Sequence, residues 1–233
     1  MIDATKNRSR AAILDTIRRS KRIARIDLAH ATDISAATVT TITADMIRHG
    51  LIEEVAPEEG KNPSRRGRPR VDLKLRADAF LVAGLKLADE TISVVLMDFE
   101  GTVVLQRKQQ RDQAAIDADG LVAQIRQALD ASLEGTAHKM SDLSAVGIGI
   151  PGIVDAKRGF VHWSPLLSSK NLELGPALRD ALQVPVFLDN DANLVAMAEQ
   201  YLGGAQRGCD RAKHRQPFQP DLRHGPVQSG EPV

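Results

Sequence analysis

The hydrophobic positions of the first fifty residues follow a helical spacing. Isoleucines stand one turn apart over roughly 8–20, and a second short helix fits 25–32. Ser35 is a good N-cap for a third helix, and Gly50 stands where that helix is expected to stop. The apolar stripe of the third helix consists of Val39, Ile42, Met46 and Ile47. The pattern predicts three short helices, with a tight turn at Asp33 between the last two.

Two short segments follow in which apolar and polar residues alternate, LIEEV at 51–55 and VDLKLR at 71–76. The loop between them is basic, since five of the ten residues in KNPSRRGRPR are Lys or Arg and none is acidic. Two strands around such a loop predict a β-hairpin wing. Its Arg-Gly-Arg-Pro stretch is narrow and extended, a shape suited to the negative potential of a DNA minor groove.

Small or hydroxylic side chains stand at the start of the third helix, off its apolar stripe. A helix that enters a major groove needs slim side chains there, so that its backbone can approach phosphates and base edges. The predicted DNA-binding residues are Ser35, Ala36, Thr38, Thr41, Arg66 and Arg68. Helix-turn-helix spacing also occurs by chance in helical bundles, and the basic loop could be a solvated linker. The helix-turn-helix spacing and the basic loop occur together and in this order, which favours a winged helix-turn-helix that binds DNA.

From about residue 78 the pattern becomes mixed α/β. The first three segments predict a meander of strands with a hairpin turn at Glu100-Gly101, followed by a helix that Asp119 can cap and that runs to about 134. Those strands are placed at 80–87, 91–99 and 102–109. The later elements are a buried strand in LSAVGIGIPG, a short strand in GFVHWS, a helix at 174–183, a strand in VPVFLDN and a helix at 191–203. This order is typical of half of a nucleotide-binding domain of the actin/hexokinase type.

Charge is distributed unevenly, although the net charge is only +1. Residues 1–70 hold 14 Lys and Arg against 9 Asp and Glu, whereas 71–203 hold 12 against 18. We therefore expect only residues 1–70 to bind a polyanion. A single cysteine excludes an intramolecular disulfide framework. Without an apolar signal segment or a membrane span, a soluble cytoplasmic protein is expected.

The chain resembles the ROK family (repressor, open reading frame, kinase), and specifically its xylose- and N-acetylglucosamine-responsive repressors. The resemblance covers roughly residues 8–205. The segments that carry it are the winged helix through RGRP, then GIGIPGIVD, NLELGPALRDALQVPV and NDANLVAMAE. It implies a sugar site between two lobes, to which Gly152, Asn190 and Asp191 contribute, with Asn171 as a further candidate. The implied domains are a winged helix at 1–76 and a sugar-sensing half-domain of the actin-like ATPase fold at 78–205.

The chemistry of these residues agrees with sugar binding. An asparagine offers both donor and acceptor, and a carboxylate accepts two hydroxyl protons. A glycine at the Pro151-Gly152 turn lets a ligand approach the backbone. Purely structural roles are equally compatible with the sequence, because Asp191 could be an N-cap of the following helix and GIGIPG could be a tight turn with close strand packing.

Catalysis is not expected. Asp191 matches the general base of the family's kinases, but their phosphate turn, roughly G-x-D-x-G-x-T, is degenerate in GLKLADETIS. Lys86 replaces its aspartate and Ala88 its next glycine. The predicted function is therefore a DNA-binding regulator, most simply a repressor of carbohydrate-utilisation genes. A ROK-type sugar kinase or a non-functional fragment are the alternatives.

The last stretch, 206–233, is rich in Pro, Arg, Gln and His and has no apolar periodicity. We expect a disordered or aberrant tail, produced by truncation or a frameshift after about residue 206. The family's cysteine-rich zinc motif is missing, and Cys209, His214 and His224 do not replace it. No metal or cofactor is therefore expected. The expected partners are an operator DNA duplex, a sugar or sugar phosphate, and a second copy in a homodimer, but no membrane.

Overall fold

A computed structural model of the chain describes residues 2–56, 71–111 and 115–202. Its class is mixed α/β. The helices are α1 (Ile2–Ser20), α2 (Arg25–Thr32), α3 (Ala36–Arg48), α4 (Ala118–Leu133), α5 (Leu174–Leu182) and α6 (Asp191–Leu202). The strands are β1 (Ile23–Ala24), β2 (Ile52–Val55), β3 (Asp72–Leu75), β4 (Leu81–Leu87), β5 (Thr91–Asp98), β6 (Val103–Gln110), β7 (Leu143–Ile150), β8 (Ile153–Asp155), β9 (Phe160–Trp163) and β10 (Val186–Asn190).

The first three helices enclose a small core and rest on an antiparallel sheet in the order β1-β3-β2. The predicted apolar stripe of α3 faces that core, because Val39, Ile42 and Met46 are buried. Arg25 joins three elements, since its guanidinium donates to the Thr43 hydroxyl on α3 and to Glu54 on β2. The three predicted helices are confirmed, although α1 begins at residue 2 rather than near 8.

The second part is built on a five-stranded sheet in the order β10-β7-β4-β5-β6. Strands β4, β5 and β6 form an antiparallel meander, whereas β7 runs parallel to both β4 and β10. Helices α4 and α5 contribute to the core beneath this sheet. The residues that α4 contributes are Leu121, Ile125, Ala128, Leu129 and Leu133. The predicted meander and the alternation that follows it are confirmed.

One sequence prediction about an element end was wrong, and two short strands were missed. The N-cap of α4 is Asp117, whose carboxylate accepts a hydrogen bond from the Gly120 N–H at 2.8 Å. Asp119 instead lies inside the first turn of the helix. The pattern also missed the short strands β1 and β8, because two or three residues are too few to show an alternation.

Two hydrophobic clusters form the interior of the compact unit Met1–Leu194. One belongs to α1–α3 and β2–β3, and the other to the five-stranded sheet with α4 and α5. Phe99, at the turn between β5 and β6, packs against the first cluster although it follows a strand of the second. Its ring meets Phe80 edge to face at 5.0 Å between centroids, and its N–H donates to the Ala77 carbonyl.

Residues 76–80 link the two clusters in a short helical turn. The Arg76 guanidinium donates two hydrogen bonds to the Asp78 carboxylate, and these lower the pKa of Asp78. None of the helices in the described ranges has the length and apolar character needed to cross a bilayer. The domain limits at 76, 78 and 205 stay predictions, and the 206–233 tail lies outside the described residues.

Candidate functional site

The outer surface of α3 carries the four predicted DNA-contacting residues that the structure describes. Ser35, Ala36, Thr38 and Thr41 are all exposed. Ser35 is the N-cap, because its hydroxyl oxygen accepts from the Thr38 N–H at 3.2 Å. The arrangement leaves small side chains along the exposed side of the helix, as predicted.

The hydroxyl groups on this surface already have partners within the helix. The Ser35 and Thr38 hydroxyls share a hydrogen bond of 2.8 Å, and the Thr41 hydroxyl donates to the Ala37 carbonyl at 3.0 Å. The Thr38 and Thr41 oxygens can each still accept a further hydrogen bond. The surface therefore offers fixed acceptors and methyl groups on a rigid helix. Arg66 and Arg68 lie outside the described residues.

The second candidate region lies at the carboxyl ends of the parallel strands β7 and β10. In open α/β sheets, ligands commonly bind at this edge. The register places Asn190 opposite Ile150, one residue before the Pro151-Gly152 turn. The structure therefore brings Gly152, Asn190 and Asp191 together at one edge of the sheet.

Asn190 is the residue that organises this edge. Its Oδ1 accepts from the backbone N–H groups of Ala192 at 2.9 Å and Asn193 at 3.2 Å, which makes Asn190 the N-cap of α6. Its Nδ2 donates to the Gly152 carbonyl at 2.7 Å. These bonds leave one N–H of the amide for a ligand.

The proposed capping role of Asp191 is therefore wrong. Asp191 is the first residue of α6. Within the described residues, its carboxylate accepts one hydrogen bond, through Oδ1 from the N–H of the next residue, Ala192, at 3.0 Å. The half-buried carboxylate stands at the N-terminal end of α6. The position leaves it available to accept hydrogen bonds from ligand hydroxyl groups.

Gly152 is required by packing. Its φ is +132°, and a Cβ at this position would overlap the Trp163 carbonyl oxygen and lie 2.9 Å from the Cα of Ser164. The turn therefore fits closely against the end of β9, in agreement with the close packing that the sequence allowed for GIGIPG. Ligand approach remains a prediction for this residue.

Among the described hydrogen bonds, none joins Asn171 to Asn190 or Gly152, and Asn171 lies beside β9. It is exposed, adopts a left-handed conformation with φ +58°, and its N–H donates to the His162 carbonyl at 3.1 Å. Its place beside β9 follows from the pairing of Val161 with Leu172. The described contacts tie Asn171 to the β8–β9 hairpin.

Sequence reasoning missed two supporting residues at this edge. Asp189 accepts hydrogen bonds through Oδ1 from the Asn190 N–H at 2.7 Å and from the Asn193 side chain at 3.1 Å. The four-residue spacing of Asp189 and Asn193 in DNDAN was the available signal. Gly149 was also missed. The start of α6 packs on it, and a Cβ there would lie 3.0 Å from Cδ1 of Leu194.

The turn between β4 and β5 lies at the same end of the sheet. Lys86 pairs in register with Gly149, which in turn pairs with Asp189, so these three residues form one row across three parallel strands. Lys86 is exposed, and the Ala88 N–H closes the turn by donating to the Thr91 carbonyl at 2.9 Å. Among the described residues, no three His, Cys, Asp or Glu side chains gather to hold a metal ion.

Known proteins resemble this chain over most of its length. The xylose repressor of Caldicellulosiruptor bescii is 27% identical over 198 residues, which is 85% of this chain and 48% of that protein. The DNA-binding transcriptional repressor Mlc of Escherichia coli K12 is 30% identical over 209 residues, or 89% of this chain and 50% of Mlc. The chain spans about half the length of these relatives.

A solved structure shows the same relationship. The crystal structure of a ROK family transcriptional regulator, a homologue of E. coli Mlc, superposes with a TM-score of 0.59 at 30% identity. The match covers 77% of this chain and 44% of that one. The model of the ROK family itself matches residues 82–211, more than half of the sequence. The chain therefore belongs to the ROK family.

Proposed function

We propose that the chain is a DNA-binding transcriptional repressor of carbohydrate-utilisation genes that responds to a sugar or sugar phosphate. The observation that carries this proposal is that relatives named as xylose repressor and DNA-binding repressor align along 85–89% of the chain, across both hydrophobic clusters. In this proposal α1–α3 and β1–β3 form the winged helix-turn-helix, and α3 enters the major groove. The sheet with α4–α6 senses the effector.

The surface of α3 supports the DNA-binding half of the proposal. Its exposed side chains are short, its N-terminus is fixed by the Ser35 cap, and its inner stripe is anchored in the core. A rigid helix with small outward side chains can place its backbone against base edges. Arg66 and Arg68 are proposed to contact the DNA backbone or minor groove from the wing.

The test of DNA binding begins with selection of bound duplexes from a random pool. On the selected duplex, Thr41→Glu should weaken binding at least tenfold, because it places a carboxylate on the face proposed to meet the bases. Ala123→Glu adds the same charge to the exposed face of α4 and serves as the control, with binding unchanged. Selection without any enriched sequence, or equal binding by both variants, would overturn the assignment of α3.

The sensing half is tested on the same protein by calorimetric titration with xylose, glucose, N-acetylglucosamine and their phosphates. We expect a bound sugar to require Asp191, whose carboxylate would accept hydroxyl protons, so Asp191→Asn should weaken binding by about tenfold. Asp180→Asn, on the exposed side of α5, is the control with unchanged affinity. Equal affinity of the Asp191 variant would remove that residue from the site.

A further inference from the structure

A polar cavity of about 250 Å³ lies between the end of β6 and helix α4. Five of its six lining residues are Gln or Arg, namely Gln109, Gln110, Arg111, Gln124 and Gln127, and the sixth is Ile92. In the sheet order, β6 and β10 are opposite edges. With four strand spacings between them, about 19 Å separates this cavity from Asn190 and Asp191.

Arg111 is the buried charged group of the cavity. Its residue is only 8% exposed. The Nε atom donates to Gln124 Oε1 at 3.3 Å, and Nη1 donates to the Asp89 carbonyl at 2.8 Å. Both acceptors are uncharged amide oxygens. The third nitrogen, Nη2, is buried and has no hydrogen-bond partner within the part of the chain that the structure describes.

Within the described residues, one nitrogen of the buried Arg111 guanidinium thus lacks a hydrogen-bond partner, and this lowers the stability of the fold. A buried donor without a partner costs about 1–3 kcal/mol, and the cost is larger for a charged group. A guanidinium also keeps its positive charge at any pH at which proteins fold. The amide oxygens around Arg111 reduce that cost but do not neutralise the charge. A negatively charged acceptor in the cavity, which Arg111 lines, would offset this charge, and a small shift of the neighbouring side chains would bring the solvent-closed Nη2 into contact with it.

We propose that this cavity is a second ligand site, which binds a small tetrahedral oxyanion of the phosphate class. The rigid fork of a guanidinium matches two oxygens of such an ion, and charge-assisted bonds of this kind are the strong ones. The surrounding glutamine amides add N–H donors for the remaining oxygens. The volume holds a phosphate group with room for a small substituent. The site does not depend on the DNA or sugar binding proposed above.

The first test is thermal unfolding of the full chain in inorganic phosphate, acetate or chloride at equal ionic strength. Phosphate at about four times its Kd should raise the Tm by about 2–4 °C over chloride. Arg111→Gln should abolish the rise. Arg107→Gln is the matched control, because Arg107 lies on β6, which ends one residue before Arg111, and donates to the Ala131 carbonyl on α4, outside the cavity.

The second test does not require Arg111 to be replaced. Gln124→Glu is nearly isosteric and places a carboxylate oxygen where Oε1 now accepts from Arg111. This internal anion should remove the phosphate response and leave the protein at least as stable in chloride. In the unaltered chain, phosphate should also shift the NMR resonance of the Arg111 Nε–H.

Three results would overturn the proposal. One is an unaltered chain whose Tm is the same in phosphate and chloride, as a cavity filled by water alone would give. Another is stabilisation by acetate but not by phosphate. The third is a phosphate response that survives both Arg111→Gln and Gln124→Glu.

Discussion

The side chain of Asn190 joins two strand ends through three hydrogen bonds. Oδ1 holds the first turn of α6, and Nδ2 holds the carbonyl of Gly152 after β7. Asn190 thus has a structural role whether or not a ligand is bound. Loss of sugar binding in an Asn190 variant would therefore have two causes, a lost ligand contact and a displaced α6.

Two substitutions separate the two roles of Asn190, the cap of α6 and the bond to Gly152. Asn190→Ala removes the cap and the bond to Gly152, and should lower the free energy of unfolding by about 2 kcal/mol. Asn190→Asp keeps an acceptor for α6 but removes the donor, and should cost about 1 kcal/mol. Urea unfolding measures both values, with the exposed Asp180→Ala as a control expected to change little. Equal losses for Ala and Asp would show that the cap contributes nothing.

Gly152 provides a second test at the scale of one residue. Gly152→Ala adds a methyl group against the Trp163 carbonyl at a φ of +132°, so we expect a loss of more than about 3 kcal/mol. Gly101→Ala is the matched control, because Gly101 also has a positive φ but no atom within 4 Å of the added Cβ. Its cost should be about 1 kcal/mol. Similar losses in urea unfolding would mean that backbone strain, not the clash, decides both.

Helices with a long apolar stripe were predicted well from the sequence. The four-residue repeat from Leu121 to Leu133 identified α4, and the stripe of α3 identified its buried face. The pattern favoured Asp119 over the actual cap, Asp117, because both are good caps and Asp119 stands nearer the stripe. It also could not place the Asn190–Gly152 hydrogen bond, which depends on the pairing of strands that lie far apart in the sequence.

The cap of α4 can be checked directly. Asp117→Ala removes the acceptor for the Gly120 N–H and should lower the free energy of unfolding by about 1 kcal/mol. Asp119→Ala removes only a favourable charge near the helix start and should cost less than about 0.5 kcal/mol. Urea denaturation of the two variants compares them. The reverse order would restore Asp119 as the cap.

Across the whole compact unit, Phe99 connects two separate hydrophobic clusters. Its ring packs against the cluster of the three helices, whereas β5, which ends one residue before Phe99, belongs to the five-stranded sheet. Lys74 and Glu100 add an ion pair at 4.0 Å beside it. Contacts of this kind make the unfolding of two cores cooperative.

We expect Phe99→Ala to separate the unfolding of the two clusters. Loss of the half-buried ring should lower the free energy of unfolding by about 1–3 kcal/mol. Trp163, the one tryptophan of the sequence, stands on β9 beside Val161 of the second cluster and reports on that part of the chain, whereas far-ultraviolet circular dichroism reports on all helices. The two signals should coincide for the unaltered chain and diverge for the variant. Phe187→Ala, at a side chain that is 68% exposed, should leave them together, and coinciding signals in both variants would contradict the coupling.

The pairing of β1 with β3 has a consequence for the order of folding. Ala24, just after α1, pairs with Asp72, so the small sheet closes only after the chain has looped back across the intervening segment. Contacts so distant along the sequence slow folding, because the entropy of loop closure is lost before the contact forms. During synthesis the three helices therefore emerge well before the strand that completes their sheet, and the α3 surface proposed to bind DNA gains its full support only once β3 has left the ribosome.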